Sequence, residues 1–194
     1  MDRVGSIPSA PTISIMKYIT VLMLVVLLLS GDISNNLVEK EGMKKIETGY
    51  TVIKFNDEEI VSKFADKICY GMSLLGAIGK TNENIITTSV DGIFRKVEVL
   101  LGIDKSFDQK VIVNVYDTKQ SLKDAFYQTY KYHTDLRAWY SFHLNTVFCT
   151  VEDIDSGMLA HELGHAIVDN YFGFKPPTET AEILSKHVDT HLYD

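Results

Sequence analysis

His161, Glu162 and His165 sit in the segment Gly157-Met158-Leu159-Ala160-His161-Glu162-Leu163-Gly164-His165-Ala166-Ile167-Val168-Asp169. On an α-helix, positions i and i+4 lie on one face, so the two imidazoles can address one metal ion. Glu162 lies about 100° round the helix from His161, close enough to hold a water beside that ion without ligating it. A metal that lowers the pKa of bound water, next to a carboxylate that accepts its proton, is hydrolytic chemistry. Two imidazoles and one carboxylate, with a fourth position left for water, suit Zn2+. Glu162 is the candidate general base, and His161 and His165 are the candidate ligands. Asp169 falls one turn beyond His165 on the histidine face, where it can orient an imidazole from behind. Gly164 costs about 1 kcal/mol against Ala in a helix interior, which points to a close backbone approach there.

This chemistry requires the segment to be helical, and its flanks predict that it is. Asp155 or Ser156 can cap the helix, and Gly173 ends it just beyond Tyr171. Met158, Leu159, Ala160, Leu163, Ile167 and Val168 make it apolar on nearly all sides, as expected for a central, buried helix. Pro176-Pro177 break the chain, and Thr178 starts a last helix reaching about Leu192. Upstream, Asn56 caps a helix whose first turn holds Asp57, Glu58 and Glu59 at capping-box spacing. Its apolar positions Ile60, Phe64, Ile68, Met72 and Leu75 fade by Gly79. A second helix is predicted over residues 89–101, stopped by Gly102. Residues 111–116 (VIVNVY) read as a strand and residues 121–130 as a helix. Residues 137–143 and 146–151 read as a hairpin around Leu144-Asn145. Residues 32–55 are polar and mixed, with a strand candidate at residues 50–55. Helices, then a small sheet, then two helices predict an α+β fold.

The 194 residues suit one domain, and 45% apolar against 23% charged residues is an ordinary globular balance. The net charge of -7, with no basic stripe, argues against nucleic acid as a partner. Residues 19–29 (ITVLMLVVLLL) follow Lys17 and precede Ser30-Gly31-Asp32, the layout of a secretory signal peptide. The run is shorter than the about 20 residues that span a bilayer. Met16-Lys17 is a better start for such a peptide than residues 1–15. The expected division is therefore residues 1–31 as extension and signal peptide and residues 32–194 as one domain. The expected location is periplasmic or extracellular, with membrane contact only through residues 17–29 if they are uncleaved. Export would permit a disulfide between Cys69 and Cys149, the two cysteines present. Two buried free thiols are the other reading.

The stretch His161-Glu162-Leu163-Gly164-His165-Ala166-Ile167-Val168-Asp169 resembles the active-site helix of zincin metallopeptidases, especially the thermolysin-like gluzincin branch and the peptidase MA-like exported proteins. The resemblance covers about residues 137–192. It implies a small zincin-like domain with a short mixed sheet, a central HExxH helix and a C-terminal helix carrying the third ligand as a Glu. A metzincin-type third His shortly after the motif is missing. Candidates for the third ligand are Glu179, Glu182, His187, Asp189 and His191. Glu182 is favoured, because Ala181, Leu184 and Val188 mark the packed face beside it and Thr180-Ala181-Glu182-Ile183-Leu184-Ser185 is similar to the ligand-bearing helix of the MA-like group. One departure is Lys186, which stands where thermolysin-type gluzincins carry an acidic residue. The resemblance further implies a peptide or protein substrate paired with an edge strand, expected here at residues 146–151. Oxyanion donors could be His187, His191, Tyr171 or Tyr140. A zincin-fold binding protein without turnover and a zinc hydrolase of a non-peptide bond are the alternatives.

Overall fold

A computed structural model describes residues 44–71, 78–104 and 109–194. The apolar run at residues 19–29, the alternative start at Met16, and Met72 and Leu75 lie outside these residues. Among the described residues ten elements follow one another: β1 (Lys44–Glu47), β2 (Thr51–Phe55), α1 (Ile60–Lys67), α2 (Asn82–Leu101), β3 (Val111–Tyr116), α3 (Lys119–Tyr130), β4 (Ala138–Ser141), β5 (Thr146–Thr150), α4 (Ser156–Phe172) and α5 (Thr178–His191). Among the described residues no helix is long and apolar enough to cross a membrane.

The five strands form one mixed sheet in the order β1-β2-β3-β5-β4. β2, β3 and β5 run parallel, while β1 and β4 are antiparallel edges. Alternation along β2 and β3 sends Ile53, Phe55, Val111, Val113 and Val115 to one face, where they meet α1, α2, α4 and α5 in the main core. α3 covers part of the other face, packing Leu122 and Phe126 on Trp139 and Phe148. All five residues of β5 are buried, because it is an interior strand with helices on both faces. The result is a small mixed α/β domain, with the strands interleaved among the helices rather than following them.

Local differences from the sequence reading have local causes. The helix expected from Asn56 starts only at Ile60, because the Asn56 amide donates to Asp117 Oδ1 at 3.1 Å instead of capping. Asp57 Oδ1 takes the Glu59 N–H at 2.8 Å. The second helix begins seven residues earlier than residue 89, at Asn82, with Thr81 accepting from Asn84 N. Its polar, β-branched first turns hide that start. β1 went unread in the polar stretch. The hairpin turn is longer than a Leu-Asn pair, spanning residues 142–145, with Asn145 at φ 45°. Asn tolerates that left-handed geometry. The strand expected at the edge, β5, lies inside the sheet, and the edge strand is β4. Cys69 is exposed, Cys149 is buried, and both are free thiols.

Candidate metal centre

α4 forms where expected. Asp155 caps it by accepting from Met158 N at 2.8 Å, and Gly173 closes it at φ 72°. Such a cap contributes about 1 kcal/mol. Apolar side chains around α4 lie under the sheet and against α2 and α5, which holds one face rigidly toward β4. His161 and His165 share that face, with Nε2 atoms 3.2 Å apart. The chain turns through residues 173–177 and returns as α5, placing Glu182 opposite them. Glu182 Oε2 lies 3.6 Å from His161 Nε2, and Oε1 lies 3.5 Å from His165 Nε2.

Those spacings test the fit of a zinc ion. Donors at about 2.0–2.2 Å from a tetrahedral Zn2+ are about 3.3–3.6 Å from each other. The two Nε2 atoms, and the carboxylate oxygen nearer to each, stand close to that spacing, the oxygens being the two different ones of Glu182; with one donor atom taken from each residue, the three form a cluster within 4.8 Å of one another among the described residues. The fit depends on how near α5 approaches α4. A Cβ at Gly164 would lie 3.1 Å from Ser185 Oγ and 3.4 Å from Ser185 Cα, so a glycine is what lets Ser185 seat there. The close approach inferred from Gly164 is present.

Electrostatics in the cluster reflect burial and crowding. Burial, then the neighbouring His161, pushes the His165 imidazole down to about 4. That keeps it neutral with a free lone pair, the form that ligates a metal. Burial raises Glu162 to about 8, and the charge of Glu182 adds to the rise. The Tyr140 backbone N–H, on the edge strand, opposes that rise. Cys149 lies beneath Glu162, its thiol pushed up chiefly by burial. Its Sγ donates to Asn114 O at 3.8 Å, so it takes no part in the cluster.

A cleft of about 300 Å³ opens over the three donors, between β4 and α5. Ala138, Tyr140, Glu162, Asp169 and Lys175 are among its walls. Asp169 is 3% exposed, and its Oδ1 has no hydrogen-bond partner among the described residues. Burial raises its carboxyl to about 6, partly offset by Lys175. Tyr140 is the one expected oxyanion donor that borders the cleft. Its hydroxyl donates to Asn145 Oδ1 at 3.1 Å, which also accepts from Asn170 Nδ2 at 3.0 Å. Tyr171 is exposed, and His187 and His191 pair with each other. Glu179 is exposed on the first turn of α5. Asp189 sits against Gly157, whose Cβ would meet its Oδ1 at 2.8 Å, and borders an adjoining groove with Asp155 and Met158. The role of β4 and the Tyr140 N–H escaped the sequence reading. A hairpin pattern does not show which of its strands is the outer one. No family model, curated protein or solved structure matches the chain.

Proposed function

We propose that the protein is an exported, zinc-dependent hydrolase of the zincin type, acting on peptide bonds. The observation that carries the reading is the placement of His161, His165 and Glu182 at mutual distances of 3.2–3.6 Å, with Glu162 buried beside them and outside the ligand set. Zinc held there supplies a Lewis acid that polarises a scissile carbonyl, lowers the pKa of water, and draws Glu162 back toward its ionised form. Glu162 accepts the proton of the attacking water and passes it to the leaving amine. β4 is the outer strand of the sheet along that cleft, so a peptide in extended form can pair with it. This supports a peptide over a small-molecule ester or amide. The exported location is part of the proposal and rests on residues 19–29; an N-terminal peptide mapped by mass spectrometry tests it.

The test combines metal content with turnover. Wild type is expected to retain zinc at the cluster after dialysis and to cleave a peptide library until a chelator is added. Glu162→Gln keeps the zinc and loses about 10²–10⁴-fold in kcat, while Glu182→Ala loses the zinc. Retained hydrolysis in Glu162→Gln would remove the assignment of the base. Zinc without any peptide cleavage, but with cleavage of esters, would leave a hydrolase of another substrate class.

A further inference from the structure

One carboxyl in the wall of the cleft lacks a partner. Asp169 is 3% exposed, yet it lines the cleft together with His165 and Tyr140. Its Oδ1 is buried and takes no hydrogen bond among the described residues. Neighbouring side-chain donors are engaged elsewhere. The Tyr140 hydroxyl donates to Asn145 Oδ1 at 3.1 Å, and the Asn170 amide donates to Asn145 Oδ1 at 3.0 Å and to Ala166 O at 2.7 Å. Lys175 also borders the cleft, but it is exposed and leaves Oδ1 unpaired. A buried carboxylate without a donor is costly, and burial accordingly raises this one, to about 6. At neutral pH it is still ionised. A cation delivered by the substrate would relieve that cost.

The other charges of the cleft do not replace that cation. Glu162 and Glu182 offset the two charges of a bound Zn2+, which leaves Asp169 and Lys175 as the remaining formal charges of the wall. Past Ala138 the adjoining groove is bordered by Asp135, Asp155 and Asp189 against Arg137. The approach is therefore acidic, and a cleft lined by one sign of charge concentrates the opposite sign. Asp169 follows His165 by four residues on α4, so their Cβ atoms are about 5–6 Å apart. A lysine carries its ammonium on a flexible four-carbon stem, long enough to place the charge at Asp169 while its backbone stays at the cluster. Tyr140 and Phe142, both half-buried in the same wall, can cover the apolar stem.

We propose that Asp169 is a specificity-determining residue, which selects peptides with a lysine next to the scissile bond by accepting the side-chain ammonium on Oδ1. The inference rests on the peptide-hydrolase reading of the cluster and names its substrate. The α-amine of a peptide offers the same chemistry, so the test uses peptides with acetylated and amidated ends.

Two such peptides, differing only in a central lysine or norleucine, are compared with the zinc-loaded full chain. Wild type is expected to cut beside the lysine, as located by mass spectrometry, with kcat/KM about tenfold or more above the norleucine peptide. In Asp169→Asn that ratio falls to about one, whatever the absolute rate. Lys175→Ala raises it, because a competing cation is gone. Glu162→Gln supplies a readout without turnover: fluorescence anisotropy of labelled peptides shows the same preference, which is lost when Asp169→Asn is added. A merely structural role for Asp169 would weaken both peptides together and leave the ratio alone. Asn is close to Asp in size, and circular dichroism checks that the variants fold. Equal cleavage of the two peptides by wild type, or an unchanged ratio in Asp169→Asn, overturns the inference and leaves the hydrolase reading standing. A preference seen only with a free amino terminus overturns it in favour of the α-amine. No cleavage of any peptide, with the lysine preference in binding intact, removes the hydrolase reading instead and keeps Asp169 as the residue that takes the cation.

Discussion

Asp169 shows how one buried carboxyl couples the cleft to pH. Its folded value, raised to about 6 from 3.8, means that folding takes up a proton between those two values. Stability therefore falls as pH rises through that window, and the whole cost is present above it. In zinc-free protein, Asp169→Asn is expected to flatten this slope, raising the urea midpoint near pH 7 relative to wild type more than near pH 4. Equal pH slopes in the two proteins would show that Asp169 is not held in its neutral form. The residues of the cluster were legible because their relation is local: i and i+4 on one helix fix His161 and His165, and Glu162 follows from the same geometry. Glu182 was reachable because helix bounds and packed face are readable from Thr178 onward. The effect of the Tyr140 N–H on the Glu162 carboxyl was not, because a backbone group has no signature in residue type.

At the scale of elements, the seam between α4 and α5 sets the cluster. Ser185 is buried against Gly164, and its Cα stands 3.4 Å from where a Cβ would be. A Cβ at Gly164 meets the Ser185 hydroxyl first, at 3.1 Å, with the Ser185 Cα close behind it at 3.4 Å, so the larger valine side chain has little room to either side. Gly164→Val is expected to destabilise by about 1–3 kcal/mol through overpacking, although loss of glycine alone would favour the helix. It should also weaken zinc binding, because Glu182 is one turn from Ser185 and moves with it. Denaturant midpoints and zinc affinity measured together check this; unchanged zinc affinity would mean that α5 can shift without moving Glu182. Helix ends marked by Asp155, Gly102 and Gly173 could be read because capping chemistry is short-range. The exchange of roles between β4 and β5 could not. It depends on β3 pairing with β5 in register Ile112↔Thr146, a contact between distant parts of the chain.

For the whole molecule, a metal at this cluster would be a folding ligand. The three donors come from two helices that pack on each other and, through the main core, on α2 and the sheet. A ligand that binds the native arrangement alone stabilises it by about 4.1 kcal/mol at a thousandfold excess over Kd. Zinc is expected to raise Tm in wild type and to raise it much less in Glu182→Ala; equal shifts would place the bound zinc elsewhere. The same seam also bears on how the protein is made. Cluster and base lie within Ser156–His191, on two helices joined by residues 173–177. Bringing them together closes a short loop, whereas the parallel pairings β2 with β3 and β3 with β5 close much longer ones. Loop-closure entropy and contact order both favour the shorter route. The ligand set can thus assemble as a local unit, ahead of the longer closures that complete the sheet.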